Sequence, residues 1–259
     1  NKWPASAGTG GRNQWNTQPL PSRSNQPLFT VVFRPSLVCR PESWVTVELH
    51  GYRYSVYTRI AQIALLEKGV KFTRIEVDPF QEPVPDQYRA LHPFLRVPAL
   101  VHDDFILYET SAITRYVDEY FSGSPLQPDD PRQRARMSQI ISVIDNYGYW
   151  PMVRQVASQR LFRQRFGEPV DETELRLGLK ESERVLDAIE QLSSDHDFLV
   201  GDRLSLCDFH LVPMMSYFAM TSEGSAVLSG RSSLSRWWKD IQDRPSVATT
   251  DPGLPRAQT

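Results

Sequence analysis

The sequence is poor in the residues that form disulfide frameworks and metal sites. It contains two cysteines, Cys39 and Cys207, and five histidines. Neither cysteine belongs to a CxxC pair and the histidines do not cluster, so we expect no disulfide framework and no metal. No apolar run approaches the roughly 20 residues that a membrane-spanning helix needs. The shares of hydrophobic and charged residues are ordinary, which predicts a cytoplasmic globular protein with no membrane partner.

The first 44 residues lack acidic side chains before Glu42 and contain six prolines. Five basic residues against Glu42 give this stretch a charge of +4, so the rest carries −6 of the total of −2. Such a stretch buries too little apolar surface to offset its ordering entropy, which predicts a disordered tail over residues 1–44. The prolines argue against a transit peptide and favour an artificial or upstream-translated extension. Because the remainder is acidic and shows no basic stripe, we expect no nucleic-acid partner.

Short apolar runs after the tail predict an α/β domain over residues 45–122. The predicted strands are Val45–His50, Lys71–Val77, Ala99–His102 and Phe105–Tyr108. Helical patterns cover Tyr57–Lys68 and Thr110–Phe121, each ended by a nearby glycine, and a short helix is predicted near Gln87–Leu91. The order βαβ then ββα resembles a thioredoxin-like fold, a small mixed sheet with helices on both faces.

A stretch dense in proline and glycine, residues 123–130, predicts a linker to an all-α domain over residues 131–247. The helical runs of this second domain are Arg132–Trp150, Glu172–Leu192, Cys207–Met220 and Leu234–Gln242. Pro151 is expected to interrupt the helical pattern at the end of the first run. Residues 248–259 are predicted to form a second disordered tail.

Four motifs occur in order along these two domains. Ser55–Arg59 has the spacing Ser-x-x-x-Arg at a strand-to-helix turn, and Arg96–Leu100 carries Val-Pro before a strand. Glu109–Ile113 reads Glu-Thr-x-Ala-Ile at a helix start, and Gly201–Phe209 carries a helix capping box. Together the motifs resemble the glutathione transferase family, over nearly all of the chain after its tail. The first motif is similar to that of the serine-type theta, phi, zeta and related bacterial and fungal classes.

The resemblance implies an enzyme that binds glutathione as cosubstrate and activates its thiol. A free thiol has a pKa near 8.5, so only a few per cent is thiolate at neutral pH. In serine-type classes the serine that matches Ser55 donates a hydrogen bond to the sulfur, which favours the charged form. Two alternatives stay open. Ser55 only caps the helix, since one hydroxyl cannot cap and activate equally well, or Tyr52 supplies the hydroxyl as in tyrosine-type classes.

The resemblance also implies which residues hold the peptide. Glu109 would bind the ammonium of the γ-glutamyl end and Thr110 its carboxylate, because a helix N-terminus attracts an anion. Val97, directly before Pro98, would pair its main chain with the cysteinyl amide, as in strand addition. The alternative is that Glu109 and Thr110 form an ordinary helix start with an acidic first turn.

The glycyl end of the predicted site departs from the family pattern. His92 and Arg96 are the nearest cations for the glycyl carboxylate. Leu95, however, stands where the family commonly has glycine. Because glycine adopts backbone conformations that leucine avoids, its loss predicts a different loop conformation here.

The electrophile site is predicted from an aromatic patch near the end of the helical run Arg132–Trp150. Tyr147 and Trp150 would line an apolar pocket, the alternative being that they are plain core. The expected reaction is attack of the thiolate on an apolar electrophile, by a homodimer as is usual in the family. The alternatives are a glutathione-dependent isomerase, an ether-cleaving enzyme or a dehalogenase, or a non-catalytic interaction or regulatory module of the same fold.

Overall fold

The computed structural model describes residues 46–81, 83, 85–193 and 196–255. The tail predicted over residues 1–44 lies outside these ranges, and so do Cys39 and residues 256–259.

A mixed four-stranded sheet forms the first domain, with the strand order β2-β1-β3-β4. The strands are β1 (Val47–Gly51), β2 (Thr73–Glu76), β3 (Ala99–His102) and β4 (Phe105–Tyr108). β1 runs parallel to β2 and antiparallel to β3, and β3 and β4 form an antiparallel hairpin. The thioredoxin-like arrangement predicted from the sequence is confirmed. β2 is shorter than the predicted Lys71–Val77.

Three helices belong to this domain: α1 (Val56–Glu67), α2 (Asp86–Leu91) and α3 (Thr110–Tyr120). α1 is the central one, and its Ile60, Ile63 and Ala64 are fully buried. At the end of α1 the buried Lys68 Nζ lies 3.0 Å from Asp118 Oδ1 of α3. Asp118 also accepts the N–H of Leu126 at 2.8 Å, so one carboxylate ties both helices to the linker.

The second domain is helical, as expected. Its elements are α4 (Pro131–Val143), a π-helix (Ile144–Arg163), α5 (Glu172–Ser193), α6 (Leu206–Ala219), α7 (Ser222–Ser229), α8 (Ser232–Ile241) and α9 (Pro245–Thr249). α6 is buried on nearly all sides and packs against α1, which joins the two domains through one apolar core.

Pro151 does not interrupt the first long helix, in contrast to the expectation from the sequence. It lies buried within the π-helix, which continues α4 to Arg163. In an α-helix the proline ring clashes with the carbonyl of residue i−4. The π-helix uses i→i+5 hydrogen bonds, so no i→i−4 bond is lost at Pro151, which has no N–H.

The predicted start of the C-terminal tail at residue 248 is too early. α9 continues to Thr249, and the backbone N–H of Asp251 still donates to Ala248 O at 3.3 Å. Further on, Arg165 Nε of the segment after the π-helix donates to Pro255 O. The first contact is local, whereas the second joins residues 90 positions apart, which composition alone does not reveal.

Asp208 organises the start of α6. Its carboxylate accepts the N–H of Ser205 at 2.8 Å, the N–H of Leu199 at 3.0 Å and the indole N–H of Trp237 at 2.9 Å. Burial nevertheless raises the pKa of Asp208. The neighbouring Cys207 is fully buried, and burial raises the pKa of its thiol well above the ordinary value. This motif therefore serves folding, and its thiol is unreactive.

Candidate active site

Strand register brings three loops to one end of the sheet. His50, near the end of β1, pairs with Ala99 at the beginning of β3, and Ala99 pairs with Tyr108 at the end of β4. The residues after β1, before β3 and after β4 therefore meet at the same edge. These residues include Ser55, Val97 and Glu109, which the sequence predicts to bind one ligand.

Ser55 begins α1. Its backbone N–H donates to Tyr52 O at 3.0 Å, and its Oγ accepts the N–H of Thr58 at 3.2 Å. The capping alternative thus describes a real contact. A hydroxyl has two acceptor lone pairs and one donor proton, and the cap occupies only one lone pair. The Ser55 proton has no acceptor among the residues that the structure describes. Capping and donation to a sulfur are therefore compatible, contrary to the expectation that they compete.

Tyr52 stands in an acidic, half-buried surrounding. Its ring packs edge-on against Tyr54 and Phe80, with ring centroids 5.6 and 5.8 Å apart. Burial first, and then the charges of Asp78, Tyr54 and Glu76, raise the pKa of Tyr52 to about 12. The same carboxylates would disfavour a thiolate beside this phenol. The choice between Ser55 and Tyr52 as the thiol-activating residue stays a prediction.

Tyr57 contacts the helical domain. Its hydroxyl donates to Asp145 O at 3.4 Å, and its ring centroid lies 5.1 Å from that of Tyr149 in the π-helix. Burial, followed by the charges of Asp145, Tyr149 and Glu109, raises the pKa of Tyr57. The phenol is thus neutral and joins the start of α1 to the second domain.

The peptide-binding segment has an open main chain. Val97-Pro98 is a cis peptide bond. Neither the N–H nor the C=O of Val97 is hydrogen-bonded within the described part of the chain. Pro98 is buried and Val97 is half-buried, so the free main-chain groups lie at the margin of the site.

Glu109 caps α3 in an unusual backbone conformation. Its φ is 72°, a value that non-glycine residues adopt at a cost of about 1–3 kcal/mol. The carboxylate is exposed and makes no capping hydrogen bond, so it is open to a ligand. Thr110, the first residue of α3, is buried, and its N–H is one of the unpaired donors at this helix end. The start of α3 thus offers a carboxylate and N–H donors together.

His92 and Arg96 lie in different environments. His92 is buried, its ring is 4.8 Å from that of Tyr108, and its Nδ1 accepts the N–H of Phe94 at 3.3 Å. Burial lowers the pKa of His92. The charge of Glu109 opposes this effect and the charge of Arg96 adds to it. The ring is therefore neutral at pH 7. The Arg96 guanidinium is exposed and has no ion pair among the residues described, so it is the available cation.

Leu95 keeps the backbone conformation that a glycine would take. Its φ is 53°, in the left-handed region. Leucine thus occupies a backbone region that glycine adopts without cost, and the different loop conformation expected at the glycyl end stays a prediction. Leu95 is half-buried against the cluster around Tyr88 and Ala99, and this packing holds it in place.

Tyr147 and Trp150 lie on the exposed side of the π-helix. They are 66% and 52% exposed, and the Arg154 guanidinium lies 5.8 Å from the Trp150 ring centroid. Plain core is therefore excluded for both. No described contact joins either ring to Ser55 or Glu109. The aromatic side chain that the π-helix brings to α1 is Tyr149.

Two residues near α1 were not singled out for the site. Arg59 is only 3% exposed, and Tyr217 of α6 is 2% exposed with no partner for its hydroxyl within the described ranges. The sequence signals for Arg59 were its place at the end of the Ser-x-x-x-Arg motif and a charge directly before an apolar run. Tyr217 had no such signal.

The described residues hold no group of three or more metal-ligating side chains. No helix among them has the length and apolar character to cross a membrane.

Comparison with known proteins bears on this geometry. The model of the glutathione S-transferase N-terminal domain matches residues 49–125, and that of the C-terminal domain matches residues 149–245. The chain belongs to the glutathione S-transferase family. Glutathione S-transferase F9 of Arabidopsis thaliana is 32% identical over 80% of this chain and 96% of its own length.

Solved structures agree with this assignment. Glutathione S-transferase III in its apo form superposes with a TM-score of 0.72 at 27% identity, covering 83% of this chain and 99% of that one. Maize glutathione S-transferase I in complex with an atrazine glutathione conjugate gives a TM-score of 0.70 at 25% identity, covering 79% and 96%. The protein is a glutathione transferase. Its relatives are plant phi-class enzymes. Phi is one of the serine-type classes that the sequence left open.

Proposed function

We propose that this glutathione transferase activates the thiol of glutathione with the Ser55 hydroxyl and directs the thiolate at an apolar electrophile. The observation that carries the proposal is the convergence of Ser55, the unpaired Val97 main chain and the open Glu109 carboxylate at one sheet edge. An extended peptide with an ammonium, two carboxylates and a thiol matches this set of groups.

Ser55 supplies the thiol chemistry in this proposal. Its proton donates to the sulfur while its lone pair keeps the cap on Thr58. The positive end of α1 favours the thiolate in addition. A hydrogen bond to a charged group contributes about 1.5–3 kcal/mol, which lowers a thiol pKa by about one to two units.

Three further groups hold the peptide. The N–H and C=O of Val97 pair with the cysteinyl residue, as when a strand is added to a sheet edge. Glu109 accepts the ammonium, and the Thr110 N–H donates to the γ-glutamyl carboxylate. Arg96 binds the glycyl carboxylate, because neutral His92 is unsuited to a cationic role.

The electrophile is expected beside Tyr57 and Tyr149, where the π-helix meets α1. The thiolate sulfur uses its electron pair to form a bond to carbon, and a leaving group departs with its own pair or the adduct takes up a proton. The maize relative bound to an atrazine glutathione conjugate supports a second organic group next to glutathione. That Tyr147 and Trp150 line the electrophile pocket stays a prediction.

We also propose that the enzyme is a homodimer, as expected from the family. Rings on β4 and α3 form a continuous exposed surface, with Phe105 5.0 Å from Tyr116 and Tyr116 5.2 Å from Tyr120. Phe105 is 46% and Tyr120 61% exposed. Sedimentation should give a dimer for the natural chain and a weaker one for Phe105→Ser. A monomeric natural chain would contradict this part of the proposal.

Calorimetric titration with reduced glutathione tests the site first. Saturable binding in the micromolar to low millimolar range, with release of a proton from the thiol as judged in buffers of different ionisation enthalpy, supports an activated thiolate. Binding without proton release favours the non-catalytic module that the sequence left open. Isomerase, ether-cleaving and dehalogenase activities share the thiolate step, so a substrate screen separates them.

A further inference from the structure

Arg59 is a buried cation at the end of the first turn of α1. Its backbone N–H donates to the Ser55 carbonyl at 3.0 Å, which closes that turn. Its guanidinium reaches the other end of the chain. Nη2 donates to Val247 O at 3.0 Å, and Nε donates to Thr250 Oγ1 at 3.4 Å. Asp251 Oδ2 lies 3.7 Å from Nη2.

A second contact holds the same chain terminus at the opposite end of α1. Glu67 accepts hydrogen bonds from Arg244 Nε at 2.6 Å and from Ser246 Oγ at 2.5 Å. The C-terminal segment, residues 244–251, is thus held against α1 at two places. Arg59 and Glu67 are eight residues apart, which is about 12 Å along a helix.

The contacts of Arg59 are poorly suited to stabilising the fold as their only role. The side chain is 3% exposed, and its Nη1 has no partner within the described residues. Burial lowers the pKa of Arg59, and among the described residues Asp251 and Tyr217 counter this effect. Burying a charge that is incompletely paired costs much of the free energy that its contacts contribute, but the contacts still fix the relative positions of the groups they join.

We propose that Arg59 is a positioning residue that holds the first turn of α1, and with it the Ser55 hydroxyl, by anchoring that turn to residues 247–251. The inference rests on the proposed role of Ser55. It makes a segment about 190 residues away in sequence part of the thiol-activating apparatus, since the Arg59 contacts span 188 and 191 residues.

Other ionisable groups face the two ends of this connection. Asp251 comes from the C-terminal segment and Tyr217 from α6, both toward Arg59. Tyr57 of α1 lies near Glu109 and, in the π-helix, Asp145. A shift in the thiol pKa can therefore be assigned to positioning only in variants that leave all these charges unchanged.

Arg59→Lys and Thr250→Val meet that condition. The lysine keeps the positive charge but loses the planar fork that serves two acceptors. The valine keeps the shape of Thr250 but removes the acceptor of Nε. We expect each to raise the pKa of the bound glutathione thiol and to lower kcat/KM about three- to tenfold at pH 6.5. The loss should shrink at high pH, where the thiol ionises without help.

Arg244→Lys is the matched control. It loosens the same C-terminal segment from the far end of α1 and again preserves charge. We expect a comparable fall in Tm with an unchanged thiol pKa. If Arg59→Lys and Thr250→Val lower Tm but leave the thiol pKa at its natural value, Arg59 is structural only and the inference is wrong.

Ser55→Ala separates this failure from that of the proposed function. A raised thiol pKa in Ser55→Ala with no change in the Arg59 and Thr250 variants refutes only the positioning role. An unchanged thiol pKa in Ser55→Ala refutes the role of Ser55, and the inference falls with it.

Discussion

Replacing Ser55 with alanine should raise the pKa of the glutathione thiol in the bound state. The variant loses a donor to a charged sulfur, worth about 1.5–3 kcal/mol, which corresponds to about one to two pKa units. At a pH below both values, turnover should therefore fall about ten- to a hundredfold. Glutathione affinity should change little, because Val97 and Glu109 are untouched. The thiol pKa is read from the ultraviolet absorbance of the thiolate during a pH titration of the saturated enzyme.

The same substitution also removes a helix cap. The Thr58 N–H loses the acceptor that it has at 3.2 Å, at a cost of about 0.5–2 kcal/mol of folding stability. Ser55→Gly is the useful comparison, since glycine at this position costs only a few tenths of a kcal/mol. Equal losses of turnover in the alanine and glycine variants, with unequal losses of Tm, would assign the effect to the missing donor. An unaltered thiol pKa in both variants would refute the reasoning and direct attention to Tyr52→Phe.

Three further predictions concern binding, packing and pH. Glu109→Gln should weaken glutathione binding by calorimetry about two- to fivefold, the modest value of an exposed ion pair, and unchanged affinity would refute the ammonium contact. Asp118→Ala should destabilise the fold by about 3–5 kcal/mol in urea unfolding, because it leaves the buried Lys68 charge with the Ser124 carbonyl at 3.2 Å but no counter-charge, and a loss below about 1 kcal/mol would contradict that account. Burial alone would raise the pKa of Glu67, but the hydrogen bonds from Arg244 outweigh burial and lower this pKa from 4.5. The ionised Glu67 therefore stabilises the fold above about pH 4.5, and this stabilisation is lost as the pH falls through the lower pKa of the folded state. We expect Glu67→Gln to have a lower Tm than the natural chain at pH 7 and the same Tm in acid.

The sequence predicts the sheet well because its strands are short apolar runs between clear turn signals. β3 and β4 have the predicted bounds, α1 differs from prediction by one residue at each end, and α3 ends one residue earlier. Local signals suffice here, since alternation, capping and a following glycine are all properties of neighbouring residues.

The features that the sequence could not predict depend on partners far along the chain. α9 is ordered by Glu67 and Arg59, side chains nearly 180 residues or more upstream. Leu95 takes a conformation that its residue type disfavours, because packing around Tyr88 overrides the local preference. Pro151 stays within a helix because the backbone there changes its hydrogen-bond pattern. For α9 and Leu95, tertiary contacts outweigh a local rule.

The candidate site depends on one topological fact that no motif contains. Ser55 follows β1, Val97 precedes β3 and Glu109 follows β4, so the three meet only because β3 is antiparallel to both neighbours. Were β1 parallel to β3, the end of β1 would lie at the far edge, about four residues or 13 Å away. A thiol held by Val97 would then be out of reach of the Ser55 hydroxyl. The motifs name the groups, and the antiparallel register of β1 with β3 brings them within reach of one peptide.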